Sequence, residues 1–366
     1  MSDSVAPSLH ERAMALLRRK GNPFRQQFAR NSDDAVCSLY HVNDLFSREQ
    51  RLLIDMVESY RGRPDQPTSV LPLLGARGAG KTHLLHWLKH GPEGRARLLV
   101  TPGTFRVDAG RNDSSFLEYL LYQFINVLLG GGEQRGVRPL LLVAEQLTRT
   151  VLRTSINEWS ESEKLALFGG SRLQKFGYMF GVGVGDALFH VDALANDIDE
   201  GKETCRVLAE RHGVNLAELV DAAVRQVDQT HPRDLKGDLR RRLLRGFLQA
   251  SLLGQDGELA DYLTDGFTET GYAVAPSREP LTLSLLSTLT ELIVGTGIPV
   301  AVAFDQLEEL LYGQTADEIR RSSDAFFGGI VQLMSQVSAF AFCSSSRKGL
   351  EPHRSAAAAP HPRSNT

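Results

Sequence analysis

The segment Leu73-Leu74-Gly75-Ala76-Arg77-Gly78-Ala79-Gly80-Lys81-Thr82 constrains this chain more than any other. It matches the spacing G-x-x-x-x-G-K-[ST], in which glycines let the backbone turn until several N–H groups converge on one phosphate. A helix opening at Lys81 brings the positive end of its dipole to the same point. On this reading the backbone of Gly75, Ala76, Arg77, Gly78, Ala79 and Gly80 cradles phosphates. Lys81 reaches the β- and γ-phosphates, and the Thr82 hydroxyl enters a magnesium shell. The flanks agree: Val70-Leu71-Pro72-Leu73-Leu74 reads as a strand, and His83 to Leu88 carries apolar residues at helical spacing. Pro72 is the discordant residue, because it removes a ladder hydrogen bond.

Composition narrows the setting. A chain of 366 residues can bury a large core and accommodates two structural units. Lys and Arg number 41 against 44 Asp and Glu, so overall charge announces no nucleic-acid partner. The three cysteines, Cys37, Cys205 and Cys343, are odd in number and far apart, which suits reduced thiols better than a disulfide framework or a zinc site. Met1 to Lys20 lacks the apolar stretch of a secretion signal, and no apolar run approaches the roughly 18 residues of a spanning helix. A cytoplasmic protein away from the membrane is the expectation.

A phosphate loop needs a carboxylate to hold magnesium and a group to orient water. Ile298-Pro299-Val300-Ala301-Val302-Ala303-Phe304-Asp305 reads as a strand buried on both faces and ending in an acid. An acid there lies at the carboxyl edge of a parallel sheet, where such sheets bind ligands, so Asp305 is the expected magnesium partner of Thr82.

Together, Gly75 to Thr82 and Val300 to Glu309 resemble the additional-strand P-loop ATPases, a superfamily that includes the AAA+, origin-recognition and STAND proteins. The string Asp305-Gln306-Leu307-Glu308-Glu309-Leu310 is most similar to the STAND version. The resemblance covers roughly residues 41–110 and 285–346. It implies ATP and Mg2+ as ligands and slow or partner-stimulated hydrolysis coupled to conformational change. Many hydrolytic members carry Glu directly after the acid, whereas this chain has Gln306, and an amide orients water without accepting its proton. Gln306, Glu308 and Glu309 are therefore the candidates for placing water. By the same resemblance Val42 and Asn43 lie against adenine, and Ser344, first among Ser344 to Ser346, reads the γ-phosphate. The family's fifth strand and helical lid have no counterpart here, which implies a truncated or minimal member whose partner supplies the lid.

The expected organisation is an α/β core with a parallel sheet, interrupted by a mostly helical insertion. An N-terminal arm spans 1–40, the first half of the core 41–135, the insertion 136–284, the second half 285–346 and a disordered tail 347–366. Lys81 and Asp305 stand 224 positions apart (305 − 81), far more than a βαβ unit of roughly 30 residues requires. Ser47 with Gln50 reads as a capping box opening a helix that carries Leu52, Leu53, Met56, Val57 and Tyr60. Leu98 to Val100 reads as a strand, Phe116 to Leu129 as a helix, and Asn215 as the cap of a helix bearing Leu219, Val220, Ala223 and Val227. A helix through Phe326, Phe327, Ile330, Val331 and Met334 leads to a strand at Ala339 to Cys343. By the resemblance that strand lies between those of the loop and of Asp305.

Weaker patterns are read plainly. Gly181, Gly183 and Gly185 lack dinucleotide-loop spacing and suit a turn. His83, His86 and His90 have no Glu or Cys at zinc spacing and suit packing or solvation. Arg233, Lys236, Arg240, Arg241, Arg242 and Arg245 form the densest basic run, diluted by Asp234 and Asp238. It suits a solvated face better than a DNA contact, and no aromatic interleaves with it. The expected ligands are ATP and ADP, with a protein partner or self-assembly. The alternatives are a nucleotide-gated switch with little turnover and a DNA-associated ATPase.

Overall fold

A computed structural model describes residues 15, 18, 46–75, 79–90, 98–102, 105, 116–130, 138–168, 184–266, 278–305, 307, 315–338 and 340–346. In chain order the elements are α1 (Ser47–Glu58), β1 (Ser69–Leu74), α2 (Lys81–His90), β2 (Leu98–Val100), α3 (Phe116–Leu129), α4 (Pro139–Glu158) and α5 (Glu161–Ala166). There follow α6 (Val184–Glu200), α7 (Cys205–Arg211), α8 (Leu216–Thr230), α9 (Leu235–Leu253), α10 (Gly257–Asp261) and a π-helical turn at Tyr262–Gly266. The remainder is α11 (Arg278–Gly295), β3 (Val300–Phe304), α12 (Ala316–Gln336) and β4 (Phe340–Ser346).

The expected α/β architecture is corrected by this balance. Among the described residues the protein is mostly helical, 73% helix against 7% strand, and the sheet is a minor part of it. The physical reason is the brevity of the strands. β2 has three residues and β3 five, while α4, α9, α11 and α12 run to 20, 19, 18 and 21. Apolar burial is thus carried by helix–helix contacts. The described residues do not make up the nucleotide-binding α/β core that the sequence led us to expect, and residues 76–78 lie outside them. The arm, apart from Ala15 and Arg18, and the tail from 347 also lie outside.

The small sheet is parallel, in the order β1-β4-β3-β2. β3 is buried along its whole length, and its alternation divides two cores. Val300, Val302 and Phe304 face a large cluster with Leu120 and Phe124 of α3, Leu285 and Leu289 of α11, and Phe326 of α12. Ala301 and Ala303 face a smaller cluster with Leu53 and Val57 of α1 and Leu84, Leu85 and Leu88 of α2. The small alanines let these helices approach closely. Tyr60 fastens α1 to the sheet, since its hydroxyl reaches the Pro67 carbonyl at 2.8 Å and Ser69 Oγ at 2.6 Å. Nearby, Thr68 Oγ1 donates to the Val337 carbonyl just before β4.

A third cluster fills the helical lobe, with Leu194 and Ile198 of α6, Leu208 of α7 and Leu219 and Ala223 of α8. Two helices belong to both lobes. α4 gives Val143 and Leu147 to the large cluster and Leu152 and Ile156 to the lobe; α9 gives Leu243 and Phe247 to one and Leu248 and Leu252 to the other. Glu145 of α4 ties the lobe together. It accepts from Arg149 Nη2 at 3.0 Å, from the Cys205 backbone N–H at 2.9 Å and from Ser251 Oγ at 2.9 Å. Burial, with Glu145 alongside, raises the Cys205 thiol well above its ordinary range, so this cysteine is a small packed apolar group.

Two cap readings meet different outcomes. Asn215 does cap α8, its Oδ1 accepting from the N–H groups of Ala217 and Glu218. Ser47, in contrast, is already inside α1; Phe46 holds the cap position without a side-chain hydrogen bond, so no capping box forms. The box needs its first residue in extended backbone, and Phe46 instead enters α1 in the left-handed region. On α12, Phe326 and Leu333 are buried while Phe327, Val331 and Met334 face water.

Two adjacent glycines of α12 make opposite predictions. A Cβ on Gly329 would lie 2.2 Å from Phe116 Cδ1, whereas nothing approaches Gly328 within 4 Å. Helix propensity favours alanine at either site by about 1 kcal/mol. At Gly329 the overlap should win, with Gly329→Ala destabilising by about 1–3 kcal/mol. Gly328→Ala should stabilise by about 0.5–1 kcal/mol. Urea denaturation of the two variants checks both signs.

Candidate functional site

β1 ends at Leu74 and α2 begins at Lys81, so the described ends of the glycine segment are a strand terminus and a helix start. β1 and β3 run parallel with β4 between them, and their carboxyl ends therefore share one edge of the sheet. Asp305 follows β3 on that edge. Phe304, the residue before it, is held by aromatic neighbours on two helices, with ring centres 5.7 Å from Phe116 and 5.0 Å from Phe326. The tilted contact with Phe116 and the edge-to-face contact with Phe326 fix the end of β3 and with it the carboxylate.

The result is a contact across 223 positions: Thr82 Oγ1 donates to Asp305 Oδ2 at 2.5 Å. Lys81 Nζ donates to the Gly75 carbonyl at 3.0 Å, drawing the first glycine of the segment toward the start of α2. Of the residues read from sequence, Gly75, Ala79, Gly80, Lys81, Thr82 and Asp305 are thus gathered at one edge. Ala76, Arg77, Gly78, Val42, Asn43, Gln306, Glu308 and Glu309 lie outside the described residues. The backbone of Ser344 pairs with Phe304 on one side and Pro72 on the other, placing it between the loop strand and Asp305.

Phe46 was not assigned from the sequence, and the structure brings it here. Its φ of 63° makes it the one non-glycine residue with positive φ among those described. That conformation costs about 1–2 kcal/mol for a residue with a Cβ. It is offset by packing against the cluster of Leu53 and Leu84. The ring lies on Gly80, itself at φ 91°, so closely that a Cβ there would sit 2.7 Å from Cε2. Phe46, Leu52, Leu74, Gly75, Gly80 and Lys81 line a cleft of about 380 Å³. Its apolar walls meet the glycine-rich segment at one end. No signal in the sequence points to Phe46, since Ser47 with Gln50 reads there as a capping box.

A hydroxyl and a carboxylate are hard oxygen donors of the kind magnesium prefers. Among the described residues no cluster of three or more His, Cys, Asp and Glu side chains suits a metal ion. Thr82 and Asp305 supply two such oxygens, fewer than a closed structural site requires. His86 is buried in α2 with its ring 6.5 Å from that of His83, in keeping with a packing role.

The basic run is a solvated face in part: Arg233, Lys236, Arg242 and Arg245 are exposed, while Arg240 and Arg241 are half-buried. Lys236 and Arg240 of α9 both pair with Glu291 of α11, at 2.6 and 2.7 Å. Arg241 pairs with Asp238 and donates to the carbonyls of His231 and Pro232. These charges brace helices against one another. No described helix is long and apolar enough to cross a membrane. The chain matches no protein-family model, no curated protein and no solved structure.

His231 ends α8 beside that braced cluster, and burial, with Arg240 and Arg241 nearby, lowers its pKa below the ordinary 6.5. The unfolded chain then takes up the proton more readily than the folded one as pH falls through that value. Stability rises with pH across the window and is lost on the acid side. Urea denaturation at about pH 7 and about pH 5 should show a smaller acid loss in His231→Gln than in the parent.

Proposed function

We propose that the chain binds ATP with Mg2+ at Gly75 to Thr82 and Asp305, and hydrolyses it slowly or on stimulation by a protein partner or a second copy. The observation that carries this reading is the Thr82–Asp305 contact at 2.5 Å. Packing brings a hydroxyl and a carboxylate from distant parts of the sequence together at a glycine-rich helix start. That pair is what a phosphate-bound cation requires.

Each residue then has a role. Backbone N–H groups at the start of α2 receive phosphate oxygens, aided by the helix dipole. Lys81 turns from the Gly75 carbonyl to the γ-phosphate. Thr82 and Asp305 would hold magnesium, which would supply positive charge against the phosphate oxygens. In hydrolysis a water oxygen bonds to the γ-phosphorus while the bridging bond to the β-phosphate breaks. ADP leaves with that electron pair, and inorganic phosphate and a proton are released. Gln306, Glu308 and Glu309 are the candidates for orienting the water, with Ser344 beside the γ-phosphate and Val42 and Asn43 beside the base.

A switch with little turnover is the second reading, favoured by Gln306 where a stronger base would speed attack. The pairing of Lys236, Arg240 and Arg241 with acids and carbonyls argues against a DNA-associated ATPase. Either nucleotide reading suits a cytoplasmic setting, where Mg-ATP is plentiful.

Calorimetry with Mg-ATP and a phosphate-release assay test the proposal on the parent, Lys81→Ala and Asp305→Asn. Parent binding that weakens about tenfold or more in Lys81→Ala, with a lost magnesium requirement in Asp305→Asn, is the expected outcome. Binding without release selects the switch. A parent that takes up no nucleotide sinks the proposal.

A further inference from the structure

We infer that Phe46 is a positioning residue for the phosphate-binding segment: its ring, seated on Gly80, holds the last turn before α2 ready to receive phosphate. The inference rests on the nucleotide reading above. It starts from a contact that only glycine allows, since a Cβ at Gly80 would lie 2.7 Å from Phe46 Cε2 and 3.2 Å from Cζ. Gly80 is a point of leverage. Its carbonyl accepts from the Leu84 N–H at 2.9 Å in the first turn of α2, and its left-handed backbone sets the direction in which the segment enters that helix.

Phe46 is itself anchored. Its carbonyl accepts from the Gln50 N–H at 2.8 Å, and its ring belongs to the apolar cluster between α1 and α2. A strained backbone persists where surrounding structure enforces it, and such residues gather at ligand clamps. Glycine-rich segments lose much conformational freedom when they close on a ligand. A ring that restrains Gly80 beforehand removes part of that loss, and affinity rises without any contact to the ligand. The effect therefore belongs to the phosphates, whatever base is attached to them.

The test compares calorimetric binding of Mg-ATP and Mg-tripolyphosphate by the full chain, as parent and as Phe46→Ala. Both ligands should weaken by the same factor, about tenfold, and Phe46→Tyr, which keeps the ring, should restore the parent values. Loss confined to ATP would overturn the inference and make Phe46 a base contact, and unchanged affinity for both would overturn it outright. Phe46→Leu keeps apolar packing without a ring over Gly80 and gives the same readout if Phe46→Ala does not fold. A parent that binds neither ligand overturns the nucleotide reading and this inference together. A parent that binds both, with a variant that is unaltered, overturns only the role of Phe46.

Discussion

Burial of Val300 to Phe304 on both faces is the constraint on which the rest of the structure depends. A five-residue strand cannot build a core by itself, so it must be covered on each side. Valines and a phenylalanine face the larger helical cluster, and alanines face α1 and α2. That asymmetry sets how near each layer of helices comes. It also fixes the strand's end, because Phe304 is wedged between Phe116 and Phe326. The position of Asp305 follows from packing, and its meeting with Thr82 follows from that position.

Charged residues complete what apolar packing begins. Glu145 gathers Arg149, the Cys205 backbone and Ser251 within the helical lobe, and Glu291 gathers Lys236 and Arg240 between α9 and α11. Each carboxylate has only 14–17% of its side chain exposed. In such surroundings a paired acid specifies one arrangement of helices more than it adds net stability, because desolvation consumes much of the attraction.

Local elements were legible from sequence where one strong pattern decides them. β3 was legible because a doubly buried strand leaves an unbroken apolar run, and α8 because Asn215 and its apolar stripe agree. The pairing of Thr82 with Asp305 could be read because glycine spacing and a strand-end acid each carry a chemical reason. Fold class was misread, because periodicity locates strands without weighing them against all the helices. Phe46 was missed because a left-handed backbone at an aromatic is enforced by packing, which no local pattern encodes. The exposed part of the basic run was legible, but its pairing was not, since Glu291 lies 55 and 51 positions away from Lys236 and Arg240.

α4 and α9 run through both the larger cluster and the helical lobe. At 20 and 19 residues each spans roughly 30 Å. Opening either lobe uncovers part of a helix on which the other also packs, so the slowest-exchanging amides should form one cooperative unit across both. A ligand that tightens the sheet edge is then felt as added protection in helices that never touch it. Thermodynamic linkage of this kind needs no moving part; two shared helices suffice.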